Sequence, residues 1–129
     1  MQVDHSNAGE LYEEGKAAMK ASSLPAAIEN FKESLKYSPH PKTLELLGEC
    51  LLAQGNDIEA IIYLSASAGL GSKQFRARFL LAKALSQVGE MSLAIDKLEE
   101  ALEFKPDYRM AKDLLDALNK QGEINTDAI

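Results

Sequence analysis

The chain repeats one amphipathic pattern three times, at a spacing of 33 or 34 residues. Three alanines mark the repeat, at Ala27, Ala60 and Ala94. A large apolar residue follows each of them by four positions, at Phe31, Leu64 and Leu98. A unit of this length cannot bury its own apolar face, so copies must stack on one another. The repeat therefore predicts an elongated stack of similar units.

The spacing of apolar residues inside each unit predicts helices and no strands. In residues 94–106, for example, apolar side chains recur at the i, i+3, i+4, i+7 positions of one helical face, and Pro106 then ends the pattern. We predict seven helices, over residues 8–21, 24–37, 41–54, 57–69, 73–88, 91–104 and 108–121.

The predicted helices form three antiparallel hairpins and one last helix that covers the open end of the stack. The predicted organisation is a flexible segment 1–7, a single domain 8–121 and a flexible tail 122–129. The domain divides into repeats 8–40, 41–74 and 75–108, followed by a capping helix 108–121. The chain length is ordinary for one domain.

Small residues recur on the first helix of each hairpin, at Gly15, Gly48 and Ala82. Two helices approach closely only where their side chains are small. We expect these positions to face the small residues of the second helices, which are Ala27, Ala60 and Ala94.

These motifs resemble the tetratricopeptide repeat. The first helix of unit two matches the family pattern at Leu44, Leu47, Gly48 and Leu51. The second helices match at Ala27, Phe31, Pro39, Ala94, Leu98 and Pro106. Departures include Arg78 in place of a tryptophan and Ser72 in place of the closing proline.

The resemblance implies an all-α, right-handed superhelix whose first helices line a concave groove. Members of the family mostly bind peptides or partner proteins there and are not enzymes. By the family pattern, the groove should be lined by Tyr12, Lys16, Met19, Lys20, Lys42, Glu45, Glu49, Leu52, Arg76, Phe79, Lys83, Met110 and Asp113.

The expected groove is more basic than the rest of the chain. It contains five basic and three acidic residues, whereas the whole chain has a net charge of -6. One hypothesis is that it binds a peptide of acidic character, anchored on Tyr12 and Phe79. The alternative is that these residues form ordinary solvated helix faces.

Some co-chaperones of the family grip a C-terminal carboxylate with lysine, asparagine and arginine side chains. At the corresponding positions this chain has Tyr12, Lys16, Leu46, Arg76 and Leu80. We therefore do not expect a chaperone tail as the ligand.

A second candidate surface lies on the outward side of helix 57–69. Ile62, Tyr63 and Ala66 occupy positions that are polar or charged in the other two units. Exposed apolar patches of this kind mark interfaces. The alternative function is therefore a structural subunit that assembles or forms homo-oligomers through this convex patch, unless a local tilt buries these side chains.

The remaining composition excludes several classes of function. The acidic net charge argues against nucleic-acid binding, which depends on a basic surface. No apolar run is long enough for a membrane helix, and the N-terminus lacks the features of a signal peptide. The single Cys50 suggests a reducing compartment such as the cytoplasm. We predict no catalytic residues, no metal site and no cofactor, because neither His5 nor His40 belongs to a spaced ligand set.

Overall fold

In the computed structural model, the described residues form seven α-helices that follow one another along the chain. The structure describes residues 5–71 and 73–127, so the predicted role of Ser72 and most of the segment 1–7 lie outside it. The helices are α1 (His5–Lys20), α2 (Leu24–Tyr37), α3 (Pro41–Ala53), α4 (Asp57–Leu70), α5 (Phe75–Gln87), α6 (Met91–Phe104) and α7 (Arg109–Asp127). The described residues contain no strand, so the predicted all-α class is confirmed.

The helices pack as a stack of three hairpins with a seventh helix at the end. α1 pairs with α2, α3 with α4 and α5 with α6, while α2–α3 and α4–α5 contacts join consecutive hairpins. α3 also contacts α5, and α5 contacts α7, so these three helices form one continuous side of the stack. α7 covers α6 with Ala111 and Leu118, both buried.

The repeated positions that the sequence marked lie in the core. Ala27, Ala60 and Ala94 are fully buried, and so are Phe31, Leu64 and Leu98. Two serines at equivalent repeat positions make equivalent hydrogen bonds. Ser34 Oγ donates to the Ala8 carbonyl at 2.7 Å, and Ser67 Oγ donates to the Pro41 carbonyl at 2.8 Å. Each bond joins the end of a second helix to the start of its own first helix.

Within a hairpin, the glycines of the first helix lie against a residue of the second helix other than the predicted one. A Cβ on Gly15 would lie 2.5 Å from Phe31 Cε1, and a Cβ on Gly48 would overlap the Leu64 side chain. The glycines therefore make room for the large residue of the second helix, and not for its alanine. The two large side chains need this space because both are completely enclosed.

The turn inside each hairpin contains one residue with a left-handed backbone conformation. Gly55 and Gly89 have φ values of 83° and 89°, as expected for glycines that end helices, and Ser22 takes φ 59° at the equivalent position of the first hairpin. A backbone of this kind suits glycine and costs other residues energy.

The first and last helices are longer than predicted. α1 begins at His5 instead of residue 8, and α7 ends at Asp127 instead of residue 121. No proline interrupts either extension, and Gly122 lowers helix propensity without preventing the helical backbone. The division into repeats 8–40, 41–74 and 75–108, and the flexibility of the two ends, stay predictions.

Candidate functional site

The side of the stack formed by α3, α5 and α7 contains a cavity of about 300 Å³. It brings together several residues that the sequence assigned to the groove, namely Glu49, Leu52, Arg76, Phe79, Lys83 and Met110. Ala53, Leu80 and Gln87 complete its lining. Its walls combine apolar side chains with the polar groups of Glu49, Arg76 and Gln87, and Lys83 is an exposed cation at this cavity.

A second cavity, of about 310 Å³, lies where α1 meets the end of α2 and the start of α3. It brings Tyr12 and Lys42 together, as expected for groove residues. Its other lining residues were not predicted: Ala8, Gly9, Ser34, Ser38, His40 and Thr43. His40 is exposed, and its Nδ1 accepts the Lys42 backbone N–H at 3.1 Å and so caps α3.

Four charged groove residues neutralise one another. Lys42 Nζ lies 2.6 Å from Glu45 Oε2, and Arg76 Nη1 lies 3.0 Å from the same oxygen. Arg76 Nη2 lies 2.8 Å from Glu49 Oε1. These contacts raise the pKa of the Arg76 guanidinium above its ordinary value, chiefly through the hydrogen bond to Glu49. Lys42 and Arg76 are therefore not free to attract an acidic ligand.

Two of the expected groove residues are buried in the wall of the groove. Glu45 is only 2% exposed, and Phe79 is 6% exposed. The Phe79 ring packs edge-on against the Tyr108 ring, with ring centroids 5.6 Å apart. The Phe75 ring packs against the same tyrosine, with ring centroids 5.2 Å apart. Burial raises the pKa of the Tyr108 hydroxyl. Phe79 thus supports the cavity floor and is not the projecting anchor that the sequence suggested.

The groove cations that remain available lie at other positions. Lys20 and Lys83 have no ion-pair partner among the side chains that the structure describes, those of residues 7–71 and 73–122. Lys16 lies 3.7 Å from Glu13, a loose pair, and 5.0 Å from the centre of the Tyr12 ring. Met19 is half-buried on the same helix, and Asp113 is paired with Arg109 at 3.2 Å. Among the residues expected in the groove, the cations outside the network of Glu45 and Glu49 are therefore Lys16, Lys20 and Lys83.

The convex patch is partly exposed. Ile62 is 62% exposed and Ala66 is also exposed, whereas Tyr63 is half-buried against the core. The same line of α4 contains two exposed residues that the sequence comparison missed, Ile58 and Leu70. Their four-residue spacing from Ile62 and Ala66 was the signal that could have revealed them.

Arg78, where the family has a tryptophan, binds the end of α4. Its guanidinium nitrogens lie 3.3 Å from the Ala68 carbonyl and 3.1 Å from the Gln74 carbonyl. The guanidinium carbon also lies 4.9 Å from the centre of the Phe104 ring. The substitution thus serves packing between units two and three.

The described residues show neither a metal-ligand cluster nor a membrane-spanning helix. Residues 5–71 and 73–127 contain no group of three or more His, Cys, Asp or Glu side chains arranged to hold a metal ion. None of the helices in this part of the chain has the length and apolar character needed to cross a membrane.

Comparison with known proteins gives a consistent set of similarities. A family model described as tetratricopeptide repeat matches residues 12–74. The chain is 29% identical over 117 residues to DnaJ homolog subfamily C member 3 of Gallus gallus. The aligned part covers 88% of this chain and 23% of that protein, so the chain spans less than a quarter of its relative's length.

Solved structures show the same fold at low sequence identity. The first TPR of Spaghetti (RPAP3), bound to the HSP90 peptide SRMEEVD, has a TM-score of 0.90 at 18% identity, covering 94% of this chain and 97% of that one. The Yersinia enterocolitica secretion chaperone SycD, in complex with a peptide of the translocator YopD, has a TM-score of 0.87 at 21% identity, covering 95% and 99%. The TPR2B domain of yeast Sti1 in its pHsp70 complex has a TM-score of 0.85 at 22% identity, covering 90% and 98%.

Proposed function

We propose that the chain, whose residues 12–74 match the tetratricopeptide repeat family, binds a peptide or a segment of a partner protein in its concave groove. The observation that carries the proposal is the pair of cavities on the side formed by the first helices. One lies beside Tyr12 and Lys42, and the other beside Leu52 and Lys83. The cavity beside Tyr12 has mostly apolar walls and a few polar groups, as binding sites typically do, whereas the cavity beside Leu52 has more polar walls.

The charges of the groove define the kind of peptide that would fit. Lys42 and Arg76 are neutralised by Glu45 and Glu49. A ligand carboxylate would therefore be attracted mainly by the lysines outside this network, including Lys83. We propose a ligand with apolar side chains for the two cavities and acidic residues near Lys16, Lys20 and Lys83.

Structural neighbours support peptide binding without identifying the ligand. The TPR of Spaghetti, SycD and the TPR2B domain of Sti1 were each determined with a peptide or chaperone ligand, named as an HSP90 peptide, a YopD peptide and pHsp70. In this chain, Leu46 and Leu80 are buried at positions where carboxylate-gripping relatives have polar side chains. The proposed recognition therefore uses side chains of the peptide and not its terminal carboxylate.

A peptide library with defined charge would test this proposal. Fluorescence polarisation on random peptides with free and amidated C-termini should select sequences that combine apolar and acidic residues, with no preference for the free terminus. Lys83→Glu should weaken the best binder about tenfold, a change of about 1.4 kcal/mol. Lys112→Glu, on the exposed side of α7, is the matched control and should leave affinity unchanged. Equal affinities for the parent protein and Lys83→Glu would contradict this ligand orientation.

The proposal includes no catalytic role and places the protein in the cytoplasm, where an unpaired Cys50 stays reduced.

A second candidate function is structural assembly through the convex patch of Ile62, Tyr63 and Ala66. The exposure of Ile62 favours it.

A further inference from the structure

The outward side of α4 carries an apolar ridge, defined by Ile58, Ile62, Ala66 and Leu70. Ile58 is 66% exposed, Ile62 62% and Leu70 55%, and Ala66 is exposed between them. Residues spaced by four lie nearly in line along a helix, so these side chains form one continuous row. From Ala60 to Leu70 the helix contains no charged residue.

The ridge is specific to the middle hairpin. The positions of Ile62 and Ala66 are occupied by Glu29 and Glu33 in α2, and by Asp96 and Glu100 in α6. The stacking of hairpins therefore does not require apolar residues there. A row of exposed isoleucine and leucine costs solubility, so it needs another explanation.

We propose that α4 of a second copy of this chain covers the ridge, with the two helices antiparallel. The ridge is complementary to itself in that direction. When Ile62 lies against the partner's Ala66, Ile58 lies against the partner's Leu70, so a large side chain meets a small one near the centre. A two-fold axis then passes midway between Ile62 and Ala66, one residue from the level of Ser65.

Charge favours the same direction. The only charged residues of α4 are Asp57 and Glu59, both in its first turn, and the exposed Lys73 lies just beyond its other end. Glu59 already pairs with Lys32 of α2 at 2.8 Å, so in antiparallel helices Lys73 of the partner subunit adds a further cation near this acidic turn. Parallel helices would instead place the two acidic turns side by side, which is less favourable.

The ridge belongs to a single helix of 14 residues, whereas a standard interface involves about 20 to 30 residues on each side. The dimer should therefore form at high protein concentration and dissociate on dilution. The inference rests on the second candidate function and is independent of peptide binding in the groove.

Sedimentation equilibrium on the full chain tests the dimer. From micromolar to near-millimolar concentration, the mass should rise from 14.1 kDa towards twice that value. Ile62→Lys and Ala66→Arg should each keep the protein monomeric with unchanged helical circular dichroism and unchanged peptide binding. Asp96→Lys, at the same repeat position on α6, should dimerise as the parent does. A constant mass at every concentration, or a dimer that survives both substitutions on α4, would overturn the proposal.

Cysteine cross-linking tests the direction of the helices. In the antiparallel arrangement, Ser65→Cys lies near its copy in the partner, whereas Ile58→Cys lies about 18 Å from its copy along the helix. Mild oxidation should therefore cross-link the first variant and not the second, while the buried Cys50 stays reduced. Efficient cross-linking through Ile58→Cys would contradict the antiparallel arrangement.

Discussion

Arg76 on α5 pairs with the buried carboxylate of Glu45 on α3, with Nη1 3.0 Å from Oε2. The two residues come from successive repeats, so their contact fixes how the first helices of units two and three lie beside each other. Glu45 has only 3% of its side chain exposed, whereas Arg76 retains 37%. A buried carboxylate is tolerated when it is paired and hydrogen-bonded, and Lys42 supplies the second partner.

Arg76→Met should lower the free energy of unfolding by about 2 kcal/mol. Removing one partner of a buried pair costs more than this when both are enclosed, but here Arg76 is partly exposed and Lys42 remains. Urea denaturation measures the loss. Adding Glu45→Met to the variant should recover part of the stability, because no unpaired carboxylate is then left. Additive effects of the two substitutions would show that the pair does not couple α3 to α5.

Gly48→Ala should destabilise the protein although alanine favours helices. The added Cβ would overlap the enclosed Leu64 side chain, and overpacking of this kind costs about 1 to 3 kcal/mol, more than the gain of about 1 kcal/mol in helix propensity. Gly69 is the matched control, because a Cβ there would have no neighbour within 4 Å. Gly69→Ala should raise the urea midpoint. A higher midpoint for Gly48→Ala would contradict the close contact of α3 and α4.

Ser22→Gly should stabilise the protein by about 1 kcal/mol. Ser22 has φ 59°, and a left-handed backbone costs a residue with a Cβ about 1 to 2 kcal/mol. The reverse change at the equivalent turn, Gly55→Ser, should cost a similar amount. Thermal unfolding of both variants measures the effect, and shifts of the same sign would show that the two turns are not equivalent.

The repeat spacing was sufficient to predict the hairpins because each helix buries a stripe that is visible in the sequence. Ala60 and Leu64 belong to such a stripe, and both are completely buried. The partners of Arg76 and Phe79 depend instead on the register between hairpins and on the approach of α7, neither of which follows from local periodicity. A family pattern can place Glu45 on the inner side of α3, but it does not show that two cations cover it.

Arg78→Ala should cost about 2 kcal/mol. The side chain is only 12% exposed, donates to carbonyls at the end of α4 and lies over the Phe104 ring, so the substitution removes charge-assisted hydrogen bonds and packing together. Arg109→Ala removes an arginine that is 85% exposed and should change stability by less than about 0.5 kcal/mol. Urea denaturation of both variants makes the comparison, and equal losses would show that Arg78 does not hold α4 in place.

Cys50 should be unreactive in the folded protein and should make stability fall at high pH. Burial raises the pKa of its thiol to about 11 from 9.0, with a smaller contribution from Glu49. Between these two values the unfolded chain has lost the proton and the folded chain has kept it, so stability falls as the pH rises from 9 towards 11.

Two measurements check the thiol. At pH 8, a disulfide reagent should modify Cys50 only as fast as the protein opens, and denaturant should release the full reactivity. Urea titrations at pH 8 and pH 10.5 should show a smaller loss of stability for Cys50→Ala than for the parent, because other groups titrate equally in both. Rapid modification of the folded parent at pH 8 would contradict a thiol that is enclosed in the core. An identical loss of stability in the two proteins would contradict a thiol that stays protonated.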